Sequence, residues 1–297
     1  MQEVKKSDKL EMLCEKHLYK LDANLHNRFK NSIFAIDRLL ANYKMVFPFY
    51  TDHTLEHSEQ VIRYSNYFIG DKNVEKLNAD ELYILLMGAC LHDVGMGISE
   101  NDFNNFKNKI KGLDEYIKEN PDKIIGDYTR AFHQEFSACF IEKYKDLFEI
   151  PSDEYLYCIC QVARGHRKYN LLDEEEFPRY FKLENGNTVR LPYLAAVVKA
   201  ADEMDIANER NLLIDYDDYT SGDDKVRAMC FRAHEAVKKI DFEDDINVYY
   251  SSDEKDVLDE IKNIEEKVNS TYNEAKAVVE EYEEFENVYN NIVFFKQ

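Results

Sequence analysis

The stretch Gly88-Ala-Cys-Leu-His-Asp-Val-Gly-Met96 is the part of the sequence that decides the fold. The residues before it, from Leu82 onward, are almost all apolar, and a helix that is apolar on every side is usually buried. Such a helix carries His92 and Asp93 to the edge of a core, where an ionised carboxylate is costly unless a cation or a full set of hydrogen bonds compensates. For this stretch alone, a helix end whose His-Asp pair faces water is an equal alternative. A metal-binding site is favoured over this alternative because four more candidate ligands occupy similarly apolar positions.

The composition narrows the class of protein. The chain has 297 residues, of which 44% are hydrophobic, enough for a sizeable core in one large domain or two small ones. The net charge of −21 disfavours a long nucleic-acid partner or a membrane surface, because both are anionic. A small anionic substrate stays compatible with this charge if a metal supplies local positive charge.

The cysteines and the hydropathy bear on the cellular location. The six cysteines show no CxxC spacing, which favours reduced thiols in a cytoplasmic protein over a zinc site built on cysteine. No apolar run approaches the length of a membrane span. We therefore expect a cytoplasmic protein without a membrane partner.

Helical periodicity dominates the chain and predicts an all-α helical bundle with small β-hairpin insertions and a long C-terminal helix. Asn185-Gly186 between extended stretches predicts one hairpin, and a second is expected around Asp244. We expect residues 1–240 to form the helical domain. Residues 241–297 would form a hairpin and helix that pack on it or lead to a protein partner or a second copy. The predicted helices lie at 10–45 (two helices), from 54, at 101–120, 129–150, 154–165, 192–205 and 226–237, and from 253 to the end.

Six side chains on or beside the ends of these helices form a candidate metal site: His57, His92, Asp93, His133, His166 and Asp202. Nitrogen and oxygen donors without thiolate suit divalent manganese, iron, nickel, zinc or magnesium and do not choose among them. Four of the donors would hold one cation, namely His57, His92, Asp93 and Asp202. The remaining two histidines would hold a second cation, with Asp93 bridging. Two cations about 3.5–4 Å apart stabilise both attacking and leaving oxygens and generate a hydroxide at neutral pH.

Some of these histidines have ordinary alternatives. His133 lies on or beside an apolar stripe, where a lone histidine is more often a satisfied core residue. His166 follows a helix end and is flanked by Arg164 and Arg167, which either complement the helix dipole or bind phosphate. His53 precedes a helix start, and a loop histidine is more often solvated than involved in proton transfer.

At these residues the sequence resembles the HD-domain metal-dependent phosphohydrolases, over roughly residues 53–210. The resemblance is carried by His53-Thr-Leu-Glu-His-Ser58, by Leu91-His-Asp-Val-Gly95 and by Ala200-Ala-Asp-Glu-Met-Asp-Ile-Ala-Asn-Glu-Arg210. It is most similar to the bacterial HD domains of the HD-CE type, which are associated with Hsp90-like ATPases. His133 and His166 look like the additional histidines of the two-metal branches. Met96 and Arg167 replace a lysine and a histidine of the cyclic-dinucleotide phosphodiesterases, which argues against cyclic di-GMP.

The resemblance implies hydrolysis of a phosphate ester or anhydride, commonly on a nucleotide, by a metal-activated hydroxide. Under this hypothesis Asp93 bridges the cations and accepts a proton, and His53 or Glu203 protonates the leaving group. The cations that would stabilise charge on the phosphoryl oxygens are Arg164, Arg167, Lys168 and Lys199. The alternatives are a non-catalytic nucleotide or metal sensor, an adaptor that acts through the C-terminal helix and, less favoured by the charge, a metal-dependent nuclease.

Overall fold

The computed structural model of this chain describes residues 12–43, 54–206 and 222–297, with side chains from residue 229 in the last range. These residues contain twelve α-helices and are 63% helical, so the predicted mostly helical fold is confirmed. The helices are α1 (Leu13–Leu21), α2 (Ala23–Leu40), α3 (Leu55–Val74), α4 (Ala79–Leu91), α5 (Glu100–Phe106), α6 (Leu113–Glu119), α7 (Ile125–Ala131), α8 (His133–Lys143), α9 (Asp153–Gly165), α10 (Leu191–Glu203), α11 (Gly222–Ala236) and α12 (Lys255–Glu280). Short 3-10 helices lie at Val94–Gly97 and Lys107–Lys109.

Two small sheets accompany the helices in the described residues. Strands β1 (Phe181–Lys182) and β2 (Thr188–Val189) form the first predicted hairpin, and β3 (Val237–Phe242) and β4 (Ile246–Tyr250) form the second. Strand β5 (Ile292–Lys296) then pairs with β4 in parallel, with Ile246 opposite Ile292. The predicted hairpins are thus present, and the last strand is an addition that the sequence did not suggest.

Helix α4 lies at the centre of the bundle, where it contacts α1, α2, α3, α9 and α10. It begins with a capping box, in which the Asn78 side chain accepts from the Glu81 amide at 3.0 Å and the Glu81 carboxylate accepts from the Asn78 amide at 3.1 Å. Every residue from Asp80 to Leu91 is buried, and from Leu82 onward the apolar pattern predicts this. The helix therefore delivers His92 and Asp93 into the interior of the bundle.

Three predicted helix lengths are wrong. The stretch 101–120 is divided between α5, a 3-10 turn and α6, because Ile110 is extended and Gly112 adopts a left-handed conformation with φ of 83°. The stretch 129–150 breaks at Phe132, whose φ of −126° and ψ of 22° separate α7 from α8. The C-terminal helix stops at Glu280 instead of continuing to the end. Buried aromatic side chains follow it, and Phe285 stacks on Tyr193 at a ring-centroid distance of 3.8 Å.

The C-terminal segment packs on the same hydrophobic core as the helical bundle. The α12 side chains Val268, Tyr272, Ala275 and Val278 are buried in that core, and the helix contacts α10 and α11. The predicted division of the chain into a helical domain, 1–240, and a C-terminal hairpin and helix, 241–297, stays a prediction. Within the described residues no single helix is long and apolar enough to cross a membrane. A bent pair of helical segments, 79–97 and 100–109, reaches that length and apolarity only when the two segments are taken together.

Candidate metal centre

The tight turn after α4 fixes the orientation of the His-Asp doublet. His92 ends the helix, and both His92 and Asp93 are buried. The Ser137 hydroxyl of α8 donates to the His92 carbonyl at 2.6 Å and accepts from the Gly95 amide at 2.9 Å. This clamp ties the turn to the helix that begins at His133. No local sequence pattern pointed to Ser137, because the contact joins segments 45 residues apart.

The structure brings all six predicted donor side chains together. They form two groups, and within each group one donor atom of every residue lies within 4.8 Å of the others. The first group is His57, His92 and Asp202, and the second is Asp93, His133 and His166. In the first group an Asp202 oxygen lies 3.3 Å from His57 Nε2 and 3.7 Å from His92 Nε2. The Asp202 side chain is 16% exposed, so the cluster is accessible from this side.

The Asp93 carboxylate joins the two groups. Its Oδ2 atom lies 3.2 Å from His92 Nε2 and 3.6 Å from His57 Nε2. Its Oδ1 atom lies 3.3 Å from His133 Nε2 and 3.7 Å from His166 Nε2. One oxygen therefore faces each group, which is the arrangement expected of a carboxylate that bridges two cations.

Backbone carbonyls determine which ring nitrogen carries the proton in three of the histidines. The Nδ1 atoms of His92, His133 and His166 lie 2.7, 2.7 and 2.5 Å from the carbonyl oxygen three residues earlier. A carbonyl only accepts hydrogen bonds, so Nδ1 must donate, and in the neutral form of each ring Nε2 carries the lone pair. The Nδ1 atom of His57 lies 2.6 Å from Asp205 Oδ2, which has the same effect.

The Nε2 atoms of these histidines face one another in pairs. His57 Nε2 lies 3.2 Å from His92 Nε2, and His133 Nε2 lies 2.9 Å from His166 Nε2. Two lone pairs at hydrogen-bond distance need a positive charge between them. A proton can bridge one such pair, but two pairs together with Asp93 and Asp202 form a donor set that fits divalent cations.

With this geometry in place, the family of the chain can be assigned. The HD-CE family model matches residues 47–280, which is most of the chain. The chain belongs to the HD-CE family. The resemblance found in the sequence is thereby confirmed. No curated protein and no solved structure matches the chain.

The pKa values in the HD-CE centre are shifted in ways that favour charged side chains in the first group and neutral imidazoles in the second. Burial alone would lower the pKa of His92, but Asp93 and Asp202 outweigh it and raise that pKa well above its usual value. Burial opposes ionisation of Asp202, yet hydrogen bonds from His57 and His92 hold its pKa well below the usual range. Burial lowers the pKa of His133, and burial together with the charge of His92 lowers that of His166. The imidazoles of the second group are therefore neutral at pH 7, the form in which histidine binds a metal.

The predicted phosphate-binding cations occupy different surroundings. Arg167 lines a groove beside His166, and its charge contributes to the lowered pKa of His133 after the effect of burial. Lys199 lines the same groove, and its Nζ donates to Glu274 at 2.7 Å. Glu203 and Lys168 also line this groove, whereas His53 lies outside the described residues.

Arg164 joins the two helices that supply His133 and His166. Its guanidinium donates to both oxygens of Glu135, at 3.3 and 3.2 Å, and to the Tyr169 hydroxyl at 2.6 Å. Glu135 follows His133 by two residues, and Arg164 precedes His166 by two. The sequence suggested a phosphate ligand at Arg164, and that role stays a prediction, but these contacts are those of a positioning residue.

We expect Arg164→Gln to lower the free energy of unfolding by about 2 kcal/mol, because Glu135 loses a two-pronged ionic partner. Denaturant unfolding of Arg164→Gln, Glu135→Gln and the double variant measures the coupling of the pair. A positioning role predicts that the double variant is little worse than either single one. Unchanged stability with weaker substrate binding would instead favour direct contact with phosphate.

Asp205 contacts the candidate metal centre but was not among the predicted ligands. It is buried, and its carboxylate holds the Nδ1–H of His57. A carboxylate behind a metal-binding histidine orients the ring and makes it a better ligand. The available signal was its spacing of three residues after Asp202, at the end of the same apolar helix.

We expect Asp205→Ala to weaken metal binding about 10- to 100-fold, because His57 loses the group that orients its ring. Equilibrium dialysis against Mn²⁺, followed by measurement of bound metal, gives the affinity. Asp259→Ala, on the exposed side of α12, is the matched control and should bind metal as the unmodified protein does. An affinity equal to that of the control would contradict the orienting role.

Proposed function

We propose that this HD-CE protein is a metal-dependent phosphohydrolase that acts on a nucleotide or a related small phosphate ester or anhydride. One observation carries the proposal: the Asp93 carboxylate directs one oxygen at each of two groups of buried donors. A His-Asp cluster that only supports the fold would not need one carboxylate placed between two groups of histidine Nε2 atoms. In-line phosphoryl transfer does benefit from such a pair of cation sites.

The donor set fits two divalent cations of the manganese, iron, nickel, zinc or magnesium class. Four imidazole nitrogens and two carboxylates would hold them, without thiolate. When bound, such cations supply Lewis acidity and lower the pKa of water, which provides a nucleophile at neutral pH. In a chain with a net charge of −21, this local positive charge favours binding of an anionic substrate.

The side chains of the chain supply the remaining functions in this proposal. Asp93 holds both cation sites together and accepts a proton from the nucleophile. Arg167, beside His166, balances the charge that grows on the phosphoryl oxygens, and Lys199 lines the same groove. His53 or Glu203 protonates the leaving group, and Glu203 lines the same groove.

The proposal is tested by measuring bound metal and phosphate release together. The purified protein is loaded in turn with Mn²⁺, Fe²⁺, Ni²⁺, Zn²⁺ and Mg²⁺ and assayed on a panel of nucleotides. We expect about two metal ions per chain and release of phosphate from part of the panel with at least one metal. Saturable nucleotide binding without turnover under every metal would replace the hydrolase with a sensor.

We also propose a cytoplasmic location. All six cysteines are free, and burial raises the pKa of Cys139 and Cys230 to about 11. The other four thiols are buried more deeply, and their pKa values are raised further. Such thiols are unreactive and accord with a reducing compartment. A protein partner or second copy at the C-terminal helix remains part of this proposal.

A further inference from the structure

A groove of about 560 Å³ opens beside the candidate metal centre and runs along the C-terminal helix α12. His166 lies at the metal end, and the walls come from the segment after α9 and from α10 and α12. Its volume falls in the range of sites for small organic ligands. Four cations are among its lining residues: Arg167, Lys168, Lys199 and Lys267. Two carboxylates, Glu203 and Glu274, also line the groove, so four positive and two negative charges leave its lining net positive in a chain with a net charge of −21.

Two of these cations lie in ion pairs that link α10 to α12. Lys199 Nζ of α10 lies 2.7 Å from Glu274 of α12, and Lys267 Nζ of α12 lies 2.7 Å from Glu203 of α10. On α10 the two residues are one turn apart and so lie on one face of the helix. Asp202 lies between them in sequence, three residues after Lys199, or about 4.5 Å of helix rise. The ion pairs thus begin within one helical turn of a predicted metal ligand.

The two ion pairs are easily opened because one partner of each is exposed. The Lys199 side chain is only 8% exposed, whereas that of Glu274 is 58% exposed. The Lys267 side chain is 62% exposed, and its partner Glu203 is 17% exposed. The Glu274 side chain can rotate into solvent while the Lys199 ammonium stays at the groove wall. The Lys267 side chain can likewise rotate towards a ligand in the groove. A buried ammonium without its carboxylate needs another anion, and a phosphate is a suitable replacement.

We infer that Lys199 and Lys267 form a second anion subsite, which takes a phosphate other than the one that reacts. The inference rests on the proposed function, because it takes the His166 end of the groove as the position of the reacting phosphoryl group. The substrate class is then a compound with at least two phosphates, such as a nucleoside diphosphate or triphosphate. Leu171, Leu172, Ala277 and Val278 also line the groove and supply apolar surface for its organic part. Helix α12 therefore sets specificity in addition to covering the core.

Titration calorimetry with inorganic tripolyphosphate and inorganic phosphate tests this subsite. The protein is loaded with Mn²⁺ and desalted, and its metal content is measured before and after titration to exclude loss by chelation. We expect Lys199→Gln and Lys267→Gln each to weaken tripolyphosphate binding about tenfold, since each removes a charged contact. Binding of inorganic phosphate, which has no second phosphate, should change much less. Lys262→Gln, at an exposed lysine on the same helix that pairs with Asp259, is the matched control.

A substitution on the carboxylate side moves the affinity in the opposite direction. Glu274→Gln frees Lys199 from its competitor and should tighten tripolyphosphate binding several-fold. A merely structural ion pair would leave the affinity unchanged. Because Glu274 is exposed, this variant also guards against a loss of binding that reflects misfolding.

The outcomes separate this inference from the proposed function. Binding that depends on Lys199 and Lys267, without hydrolysis of any phosphate compound, supports the subsite and removes the hydrolase. Hydrolysis of bis(4-nitrophenyl) phosphate by the unmodified protein, with tripolyphosphate binding unaffected by all three groove substitutions, overturns the subsite and leaves the hydrolase in place.

Discussion

Asp93→Asn should abolish hydrolysis and remove metal from both halves of the centre. The asparagine has the same shape, so the fold is kept, but its amide has no negative charge and offers a single oxygen as ligand. Its NH₂ group would also face two histidine nitrogens where Asp93 now presents an oxygen 3.2–3.7 Å away. We expect phosphate release to fall at least about 10³-fold, which corresponds to roughly 4 kcal/mol of transition-state stabilisation.

The measurement combines bound metal, phosphate release and circular dichroism on the same samples. Asp259→Asn, outside the centre, is the control and should match the unmodified protein in all three. If the Asp93→Asn variant keeps its metal and its activity, Asp93 does not bridge the two groups, and the proposed mechanism is wrong. If metal is lost but the helical spectrum is kept, the cluster is a metal site and not a support for folding.

The ligands could be found from the sequence because three of them end apolar helices. His92 and Asp93 follow a run in which every residue is buried, and Asp202 ends a second such helix. A polar side chain at that place has few ordinary partners, so its chemistry stands out. His133 and His166 were weaker signals, and they gained meaning only as members of an ordered set.

The supporting groups could not be found because they depend on contacts between distant segments. The protons on His92, His133 and His166 are fixed by backbone carbonyls, which every residue possesses and no sequence pattern marks. Arg164 looks like its neighbour Arg167 in the sequence, yet Arg164 is the one whose guanidinium contacts Glu135 and Tyr169, which also hydrogen-bond to each other. The parallel pairing of β5 with β4 joins residues 46 positions apart, beyond the range of local periodicity.

Gly95→Ala should destabilise the protein and separate His133 from the doublet. A Cβ atom at position 95 would lie 2.3 Å from the Ser137 amide nitrogen and 2.4 Å from the His133 carbonyl oxygen. Both are backbone atoms of α8, so no side-chain rotation can relieve the overlap. We expect a loss of about 3 kcal/mol in the free energy of unfolding, at the upper end of the range for overpacked cores. Denaturant unfolding gives this value, and metal analysis follows the second group of ligands.

Gly112→Ala is the control that separates close packing from backbone strain. Gly112 adopts φ of 83°, but a Cβ there would meet no atom within 4 Å, so its substitution should cost only about 1 kcal/mol. A similar cost at both positions would mean that α8 can move away from the turn and that the clamp made by Ser137 is not rigid. A larger loss at Gly95, together with reduced metal in the His133 and His166 group, would tie the geometry of the centre to one close contact between backbones. That contact admits no side chain, because α8 would have to move outward to make room, and this movement would stretch the hydrogen bonds of Ser137 to His92 and Gly95.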